Sequence, residues 1–384
     1  MKICHGACCG CGLCAAICPA GAITMKPDPE GFLFPEIQPE LCTDCSLCSK
    51  NCPVNRQKNN TSVPDLEQHC YYAIAADEQL VASASSGGVF PALARQILAQ
   101  NGCVAGAAFD KNFNVKLMLI ENEKDLALLV KAKYVQSAVP PELFAQALKI
   151  LQSGRQLLFS GTPCQIAAFK SFLKGHVYPN LLCAEIICNS VPSPGVWQSY
   201  LRHLAEKFSS PVTSVAFRDK CTGWHQSSLV VKCGEKIESH TGKNSPYVQL
   251  FLQGLISRKS CSNCAFKCGH SGADISMGDF WKLHKIKPEL NNSTGASMVI
   301  THSAAGESSL RECKLSILQE FPMDTVKISN PRFYSSLVPN CNRSKFFEKF
   351  TGNGQQWFAP DEFLKKSSRR NLWRKILDFF KSAR

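Results

Sequence analysis

Cys8-Cys9-Gly10-Cys11-Gly12-Leu13-Cys14-Ala15-Ala16-Ile17-Cys18-Pro19 spaces four cysteines as C-x2-C-x2-C-x3-C and closes on proline. Cys42, Cys45, Cys48 and Cys52-Pro53 repeat that spacing. Two-residue spacers wrap a tight loop and aim three thiolates inward at one inorganic cube. In a doubled run of this kind the fourth cysteine ligates the other cluster. One 4Fe–4S cluster is therefore assigned to Cys8, Cys11, Cys14 and Cys52, and a second to Cys42, Cys45, Cys48 and Cys18. The small residues between the ligands, Gly10, Gly12, Ala15, Ala16 and Ser46, let backbone N–H groups approach the sulfides. Each proline turns the chain away after the last ligand. A four-cysteine zinc site usually pairs two C-x2-C units instead, so a zinc-stabilised interaction protein is the weaker reading, separable by metal analysis. Cys4 and Cys9 fall outside the pattern and read as spare.

The rest of the composition agrees with a redox protein rather than a secreted scaffold. The 384 residues contain 22 cysteines, ten of them within the first 52 residues. Disulfide scaffolds of that density are small and secreted, and the N-terminus MKICHGACCG has no signal-like apolar stretch. A cytoplasmic chain with thiolate metal ligands is expected. No apolar run approaches the ~20 residues of a membrane span. The net charge is +13, but residues 364–384 hold eight Lys/Arg and one Asp, so seven of those charges sit in the tail. The body is only mildly basic, which argues against a nucleic-acid binder.

Length implies two or three domains at roughly 100–200 residues each. The fold class expected is α+β/α/β: a ferredoxin-like two-cluster head followed by a mixed α/β flavin-binding body. The head covers residues 1–55, and a polar stretch at 56–69 reads as a linker. Body domains are expected over 70–155 and 156–330, with a C-terminal extension at 331–384. Patterning predicts strands at 71–75, 103–109, 115–120, 156–159, 181–187 and 212–217. It predicts helices at 89–100, 124–131, 142–152, 165–174 and 196–207. That alternation implies a mixed sheet covered by helices.

Three body motifs carry chemistry. Ser85-Ser86-Gly87-Gly88 opens a helix, and Pro91 is tolerated only in a first turn. Free N–H groups and the positive dipole end make such a turn an anion site; an ordinary helix cap reads equally well. Gly161-Thr162-Pro163-Cys164-Gln165 links a strand to a helix, the place where open α/β sheets bind ligands. Its bland reading is a buried free cysteine. Cys261-Ser262-Asn263-Cys264 is half of a four-thiolate site. Its missing ligands are sought among Cys164, Cys183, Cys188 and Cys268, and half a zinc site or a redox pair is equally compatible with the spacing.

From the head to about residue 300, the chain resembles the family of beta subunits of coenzyme F420 hydrogenase and dehydrogenase. The resemblance is carried by SSGGVFPALA (85–94), KYVQS (133–137), FSGTPCQIAA (159–168), the VPSP stretch Cys188–Pro194, FRDK with Gly223-Trp224 (217–224), and CSNC with ADISMGDFW (261–281). It implies an FAD site and a third 4Fe–4S cluster in the body. By likeness, Cys164, Cys188, Cys261 and Cys264 ligate that cluster. Ser86, Gly87, Gly88, Lys133, Gln136, Ser137, Thr162 and Gln165 line the flavin. Two departures bear on substrate identity: Asn189-Ser190 stands where the family has His-Gly, and Lys282 where it has Gly.

These readings imply an FAD- and iron–sulfur-dependent oxidoreductase acting on F420 or another organic two-electron substrate. Its expected partner is a one-electron donor or acceptor such as a ferredoxin or a hydrogenase/dehydrogenase subunit. The alternative is a non-catalytic electron-transfer subunit of a larger complex. No acid–base residue is assigned; His225 and His284 are candidates by chemistry, and a lone histidine is more often structural. Residues 369–381 place Leu372, Trp373, Ile376, Leu377 and Phe380 on one helical face opposite Arg and Lys. That suits either docking on the body or contact with an anionic membrane surface.

Overall fold

The computed structural model describes residues 3–4, 7–57 and 67–364. The amphipathic segment at 369–381 and most of the linker lie outside the described residues.

The head is one antiparallel hairpin, β1 (Ile23–Pro27) with β2 (Leu33–Ile37), flanked by the two cysteine runs. The duplication seen in sequence recurs in the backbone. Gly10 and Gly12 lie left-handed at φ 71° and 76°, and Asp44 and Ser46, thirty-four positions on, lie left-handed at φ 50° and 60°. The second residue of each pair starts a short helix, Leu13–Ala16 or Leu47–Lys50. A left-handed residue in each gap turns successive thiols to one side. It costs a side-chain-bearing residue about 1–2 kcal/mol. The second run carries that cost at exposed Asp44 and half-buried Ser46, whereas the first has glycine for an additional reason. A Cβ on Gly10 would come within 2.3 Å of Gln136 Nε2, and one on Gly12 within 2.9 Å of Val139 Cβ. The first run presses against the body.

The body is built on an eight-stranded sheet. Its strands are β3 (His69–Ala75), β4 (Cys103–Phe109), β5 (Val115–Ile120), β6 (Leu157–Gly161), β7 (Leu181–Ile186), β11 (Ile275–Asp279), β12 (Ser297–Thr301) and β13 (Leu315–Phe321), in the order β13-β3-β12-β11-β7-β6-β4-β5. The strands β4, β6, β7 and β11 run parallel to one another, and β12 runs against β11 and β3. A second sheet holds β8 (Val212–Asp219), β9 (Ser228–Cys233) and β10 (Lys236–Thr241). Strands on both sides of residue 155 share the large sheet.

Side-chain alternation along the strands sends residues to two cores. Val104, Leu158, Leu182 and Ala184 pack with the helix Val89–Ala99. Cys103, Ala105, Leu157, Phe159 and Cys183 pack with the helices Leu143–Gln152 and Pro163–Phe172. Helices on both faces explain why β6 is buried throughout rather than alternating. The third core joins Trp197, Phe217, Val231, Tyr247 and Phe251 with Phe346 and Phe350 of the helix Arg343–Gly352.

Most predicted elements are present with small shifts. The helix expected at 165–174 starts at Pro163, because Thr162 and Gln165 form a capping box with proline at the first helical position. The helix expected at 124–131 shrinks to a 3₁₀ turn, Glu123–Asp125, and one α turn, Leu126–Leu129. The strands after residue 217 were not foreseen.

The head is seated by polar contacts as well as packing. Arg343 Nη1 and Nη2 donate to Glu30 Oε1 and Oε2 at 3.0 and 2.5 Å, and Arg343 Nε donates to Ser257 O at 2.7 Å. Leu13 and Cys11 enter the same core as Phe144 and Ile166.

Candidate functional site

The parallel strands deliver their C-terminal ends to one edge of the sheet, where ligands of α/β proteins gather. Cys164 follows β6 and Cys188 follows β7. Cys261 and Cys264 come from a remote loop, tied to the Cys188 segment by backbone. Arg258 N donates to Val191 O at 3.0 Å, and Ser193 N donates to Ile256 O at 2.9 Å. Lys267 Nζ donates to Cys188 O at 2.6 Å.

Cys164, Cys188, Cys261 and Cys264 lie near enough to influence one another, although among the described residues no three His, Cys, Asp or Glu side chains form a group that could hold a metal ion. Burial pushes the Cys261 thiol up to about 12, and Cys164 and Cys264 add like-charge repulsion. Burial likewise raises Cys188, with Cys261, Cys164 and Cys264 adding to the rise. Four thiols that resist ionisation together are what a metal cluster reverses, since ligation requires the thiolate. Of the other candidates, Cys183 is fully buried within β7, and burial, opposed by Lys170, takes it to about 12. Cys268 Sγ faces Tyr334 O. Both stand apart from those four.

In the head, Cys8, Cys11, Cys14 and Cys52 line one cavity, which Cys4, Cys9 and Cys48 also reach. Cys48 is raised by burial, with Cys45 and Cys18 adding to the rise. Cys42 lines the neighbouring groove with Cys8 and Phe34. Cys4 and Cys9, expected to be spare, line the first cavity beside the assigned ligands, and Cys9 also lies near Cys164 of the body. Cys8, Cys9 and Cys52 pack in one small cluster with Cys164 and Cys264, around Ala167 and Phe266.

A cationic constellation stands further along the same edge. Gly87 N donates to Ser297 Oγ at 3.0 Å, Ser86 Oγ donates to Ala296 O at 2.6 Å, and Ala75 N donates to Gly87 O at 2.8 Å. A Cβ on Gly87 would stand 2.5 Å from Ala73 O, so the turn lies directly on β3 and β12. Lys220 Nζ donates to Ser86 O at 2.8 Å, and burial lowers it to about 8. Arg218 Nη2 donates to Asp279 Oδ1 at 2.6 Å and to Ser85 O at 3.2 Å, with its guanidinium 4.7 Å from the Trp281 ring centre. Trp224 Nε1 donates to the same Asp279 oxygen at 2.8 Å and stacks on Trp281 with centroids 5.7 Å apart. Lys131 pairs with Asp219 at 2.8 Å. Lys133 Nζ donates to the carbonyls of Leu129, Val130 and Lys131, and burial lowers it to about 7. Four cations thus face two carboxylates. Arg218 Nε is buried with no partner, a donor set for an anionic or carbonyl oxygen, so the residues fit a phosphate-bearing flavin.

The eight residues expected at the flavin divide. Ser86, Gly87 and Gly88 form the cationic turn, with Lys133 close by. Gln165 Nε2 donates to Ser137 Oγ at 2.8 Å, Thr162 N donates to Gln165 Oε1 at 3.0 Å, and Thr162 Oγ1 lies 3.2 Å from Cys164 Sγ. That trio braces the Cys164 turn. Gln136 lies in the head–body seam, its Nε2 donating to Cys9 O at 3.3 Å. Arg218, Lys220, Trp224, Asp279 and Trp281 were missed as site residues, although the FRDK and GDFW blocks contain four of them. Adjacent strands are about 4.8 Å apart, so Asp279 at the end of β11 and Cys164 beyond β6 are separated by about 10 Å of sheet edge.

Residues 154–324 match the C terminus of the coenzyme F420 hydrogenase/dehydrogenase beta subunit, and residues 7–56 match the 4Fe-4S dicluster domain. The chain therefore joins a 4Fe–4S dicluster domain to the C-terminal domain of an F420 hydrogenase/dehydrogenase beta subunit. An F(420)H(2) dehydrogenase subunit of Methanosarcina mazei is 24% identical over 173 residues, 43% of this chain and 48% of that protein. The coenzyme F420-dependent sulfite reductase of Methanocaldococcus jannaschii is 27% identical over 169 residues, 42% of this chain and 24% of that protein. The chain thus matches about half the length of the first relative and about a quarter of the second. A chain of the F420-reducing [NiFe] hydrogenase complex from Methanosarcina barkeri superposes with TM-score 0.43 at 16% identity, over 76% of this chain and 91% of that one, a likeness too loose to support argument. Among the described residues, no helix is long and apolar enough to cross a membrane.

One buried acid of the beta-subunit domain gives a pH prediction. Burial pushes Glu185 up to about 7, although Ser271 and Ser276 hydroxyls donate to it at 2.5 and 2.6 Å. An unfolded glutamate ionises near about 4.3. The fold therefore holds this proton more tightly than the unfolded chain does. Its contribution is full below about 4.3 and is lost as pH rises through about 7, for a total of about 4 kcal/mol. Glu185→Gln should flatten the fall in melting temperature between pH 5 and pH 8, measured by anaerobic thermal melts. Parallel curves for the two proteins would refute the assignment.

Proposed function

We propose that the chain is an iron–sulfur flavoprotein oxidoreductase that passes electrons between 4Fe–4S clusters and FAD, and so reduces or oxidises F420 or another organic two-electron substrate. The observation that supports it most is the proximity of Cys164, Cys188, Cys261 and Cys264 between the head cysteines and the cationic turn. Bound clusters supply one-electron transfer and bound FAD exchanges a hydride for single electrons.

The chain's own residues divide the work. Cys8, Cys11, Cys14 and Cys52 hold one head cluster, and Cys18, Cys42, Cys45 and Cys48 hold the other. Cys164, Cys188, Cys261 and Cys264 hold the third. The Ser86–Gly88 turn, Arg218 and Lys220 meet the anionic part of the flavin nucleotide. Lys133, desolvated and tied to the carbonyls of Leu129, Val130 and Lys131, shapes the loop beside the turn. Thr162, Ser137 and Gln165 keep Cys164 in place, and the Trp224–Trp281 stack keeps water from the turn.

The test is a cofactor inventory of protein purified without air. About twelve iron atoms, matching sulfide and about one FAD per chain are expected. About eight iron atoms would remove the body cluster, and zinc in place of iron would remove the whole reading. A second reading, a non-catalytic electron-transfer subunit, is favoured by one observation: the Methanosarcina mazei relative is itself named a subunit. Its partner would be a ferredoxin or a hydrogenase/dehydrogenase subunit. Direct reduction of the isolated chain by reduced F420 favours the enzyme; turnover that depends on adding a catalytic subunit supports the relay.

A further inference from the structure

Arg258 is 2% exposed and sits where the head meets the body. Its Nε donates to Cys8 O at 2.8 Å and its Nη1 to Gln136 Oε1 at 3.1 Å, both uncharged acceptors. The guanidinium lies 4.0 Å from the Phe34 ring centre and 5.5 Å from that of Phe32. Nη2 is buried with no partner. Among the described residues no carboxylate pairs with this cation.

An uncompensated charge in such a place is costly, since an isolated buried ion forfeits several kcal/mol of hydration. Arginine cannot escape by losing its proton. A counter-charge is therefore required, and the surrounding residues show where it lies. Arg258 Nε reaches the carbonyl of Cys8 in the head, and the Arg258 carbonyl accepts from Cys261 N at 3.0 Å in the body. One cation therefore stands beside assigned ligand cysteines on both sides of the seam.

We propose that Arg258 is the shared counter-ion of the first head cluster and the body cluster, a positioning residue that raises the reduction potential of both and holds the two domains in electronic register. The idea rests on the cluster assignments above. Cluster potentials respond to net charge and to hydrogen bonds at the sulfurs, and the free Nη2 is a donor available for that purpose. The side chain of Arg258 donates to Cys8 O, whereas only its backbone touches Cys261, so the head cluster should respond more strongly. Among the described residues none of the Arg258 side-chain hydrogen bonds reaches Cys18, Cys42, Cys45 or Cys48, so the second head cluster is an internal control.

Full-length Arg258→Met and Arg258→Lys, purified without air, should be titrated electrochemically and followed by electron paramagnetic resonance. In Arg258→Met the equilibrium constant for reducing the first head cluster should fall about tenfold, or about 59 mV for one electron. The body cluster should shift the same way by less, and the second head cluster should stay in place. Arg258→Lys should recover most of the loss. Unmoved potentials at full iron content, or equal shifts of all three clusters, would overturn the proposal. Should the Met protein lose iron, the decision passes to protein carrying native Arg258 and labelled with guanidino-15N arginine. Exposed Arg56, four residues after Cys52, is changed to lysine in that preparation. A weak 15N coupling on the reduced first head cluster supports the contact, and its absence refutes it. Failure of the cluster assignments themselves would register separately, as iron missing from the unaltered protein.

Discussion

Cys261→Ser, purified without air, is expected to retain about eight iron atoms per chain where the unaltered protein holds about twelve. Serine preserves the shape of the residue but not a thiolate, and four thiolates are needed for one cube. Loss should stop at the body cluster, because the eight head ligands come from residues 8–52 and their loops close without Cys261. The loop carrying Cys261 is also held by backbone, through Arg258 N to Val191 O and Leu337 N to Cys261 O, so the substitution should not unfold it. Cys183→Ser is the matched control. That residue is more deeply buried than Cys261, lies within β7 and stands outside the assigned ligand set, so its iron content should be unchanged. Iron and sulfide analysis of the two proteins reads the result. If the Cys261 protein kept all its iron, the body thiols would not be ligands.

Arg218→Met should empty the flavin site and lower stability by about 3 kcal/mol, while leaving iron content unchanged. Removing one partner of a buried charge pair costs about 3–5 kcal/mol. The low end applies because the Asp279 side chain retains 18% exposure and the Trp224 hydrogen bond. The Ser85 carbonyl would also lose its donor, loosening the turn that leads into Gly87. Arg218 itself adopts φ 57°, a left-handed conformation that a side-chain-bearing residue keeps only under constraint from its surroundings. Adding Asp279→Asn should recover part of the lost stability, because the carboxylate left behind is then neutral and the two effects are not additive. Flavin released on boiling and anaerobic melting curves check both halves. Full flavin content in Arg218→Met would remove the anionic part of the nucleotide from this turn.

Much of the head was legible because its chemistry is local. Ligand spacing, the closing prolines and the thirty-four-residue duplication all lie within one short stretch, and covalent geometry leaves little freedom between adjacent ligands. Strands and helices up to residue 217 were legible for a similar reason, since periodicity and caps act over one or two turns. The Thr162–Gln165 capping box with Pro163 was readable in principle and was placed two residues late. The chain beyond residue 217 was harder to read. The strand β3, near the start of the body, lies between β12 and β13, more than two hundred residues later, and no local pattern encodes that partnership. The same holds for Arg258, whose sequence neighbours say nothing of Phe34, Gln136 or Cys8.

The two cysteine runs by themselves determined that this protein presents eight thiolates in the pattern of two inorganic cubes, because two-residue spacers constrain where a thiolate can point. Tertiary structure alone decided that Cys183 is enclosed in the sheet and which cysteine run faces the body. Cys183 and Cys188 are five residues apart in one segment, yet β7 buries the first within the sheet and ends before the second. Gly10 and Gly12 likewise differ from Asp44 and Ser46 in what presses on them. Those outcomes depend on burial between surfaces distant in the chain, which spacing along the backbone does not carry.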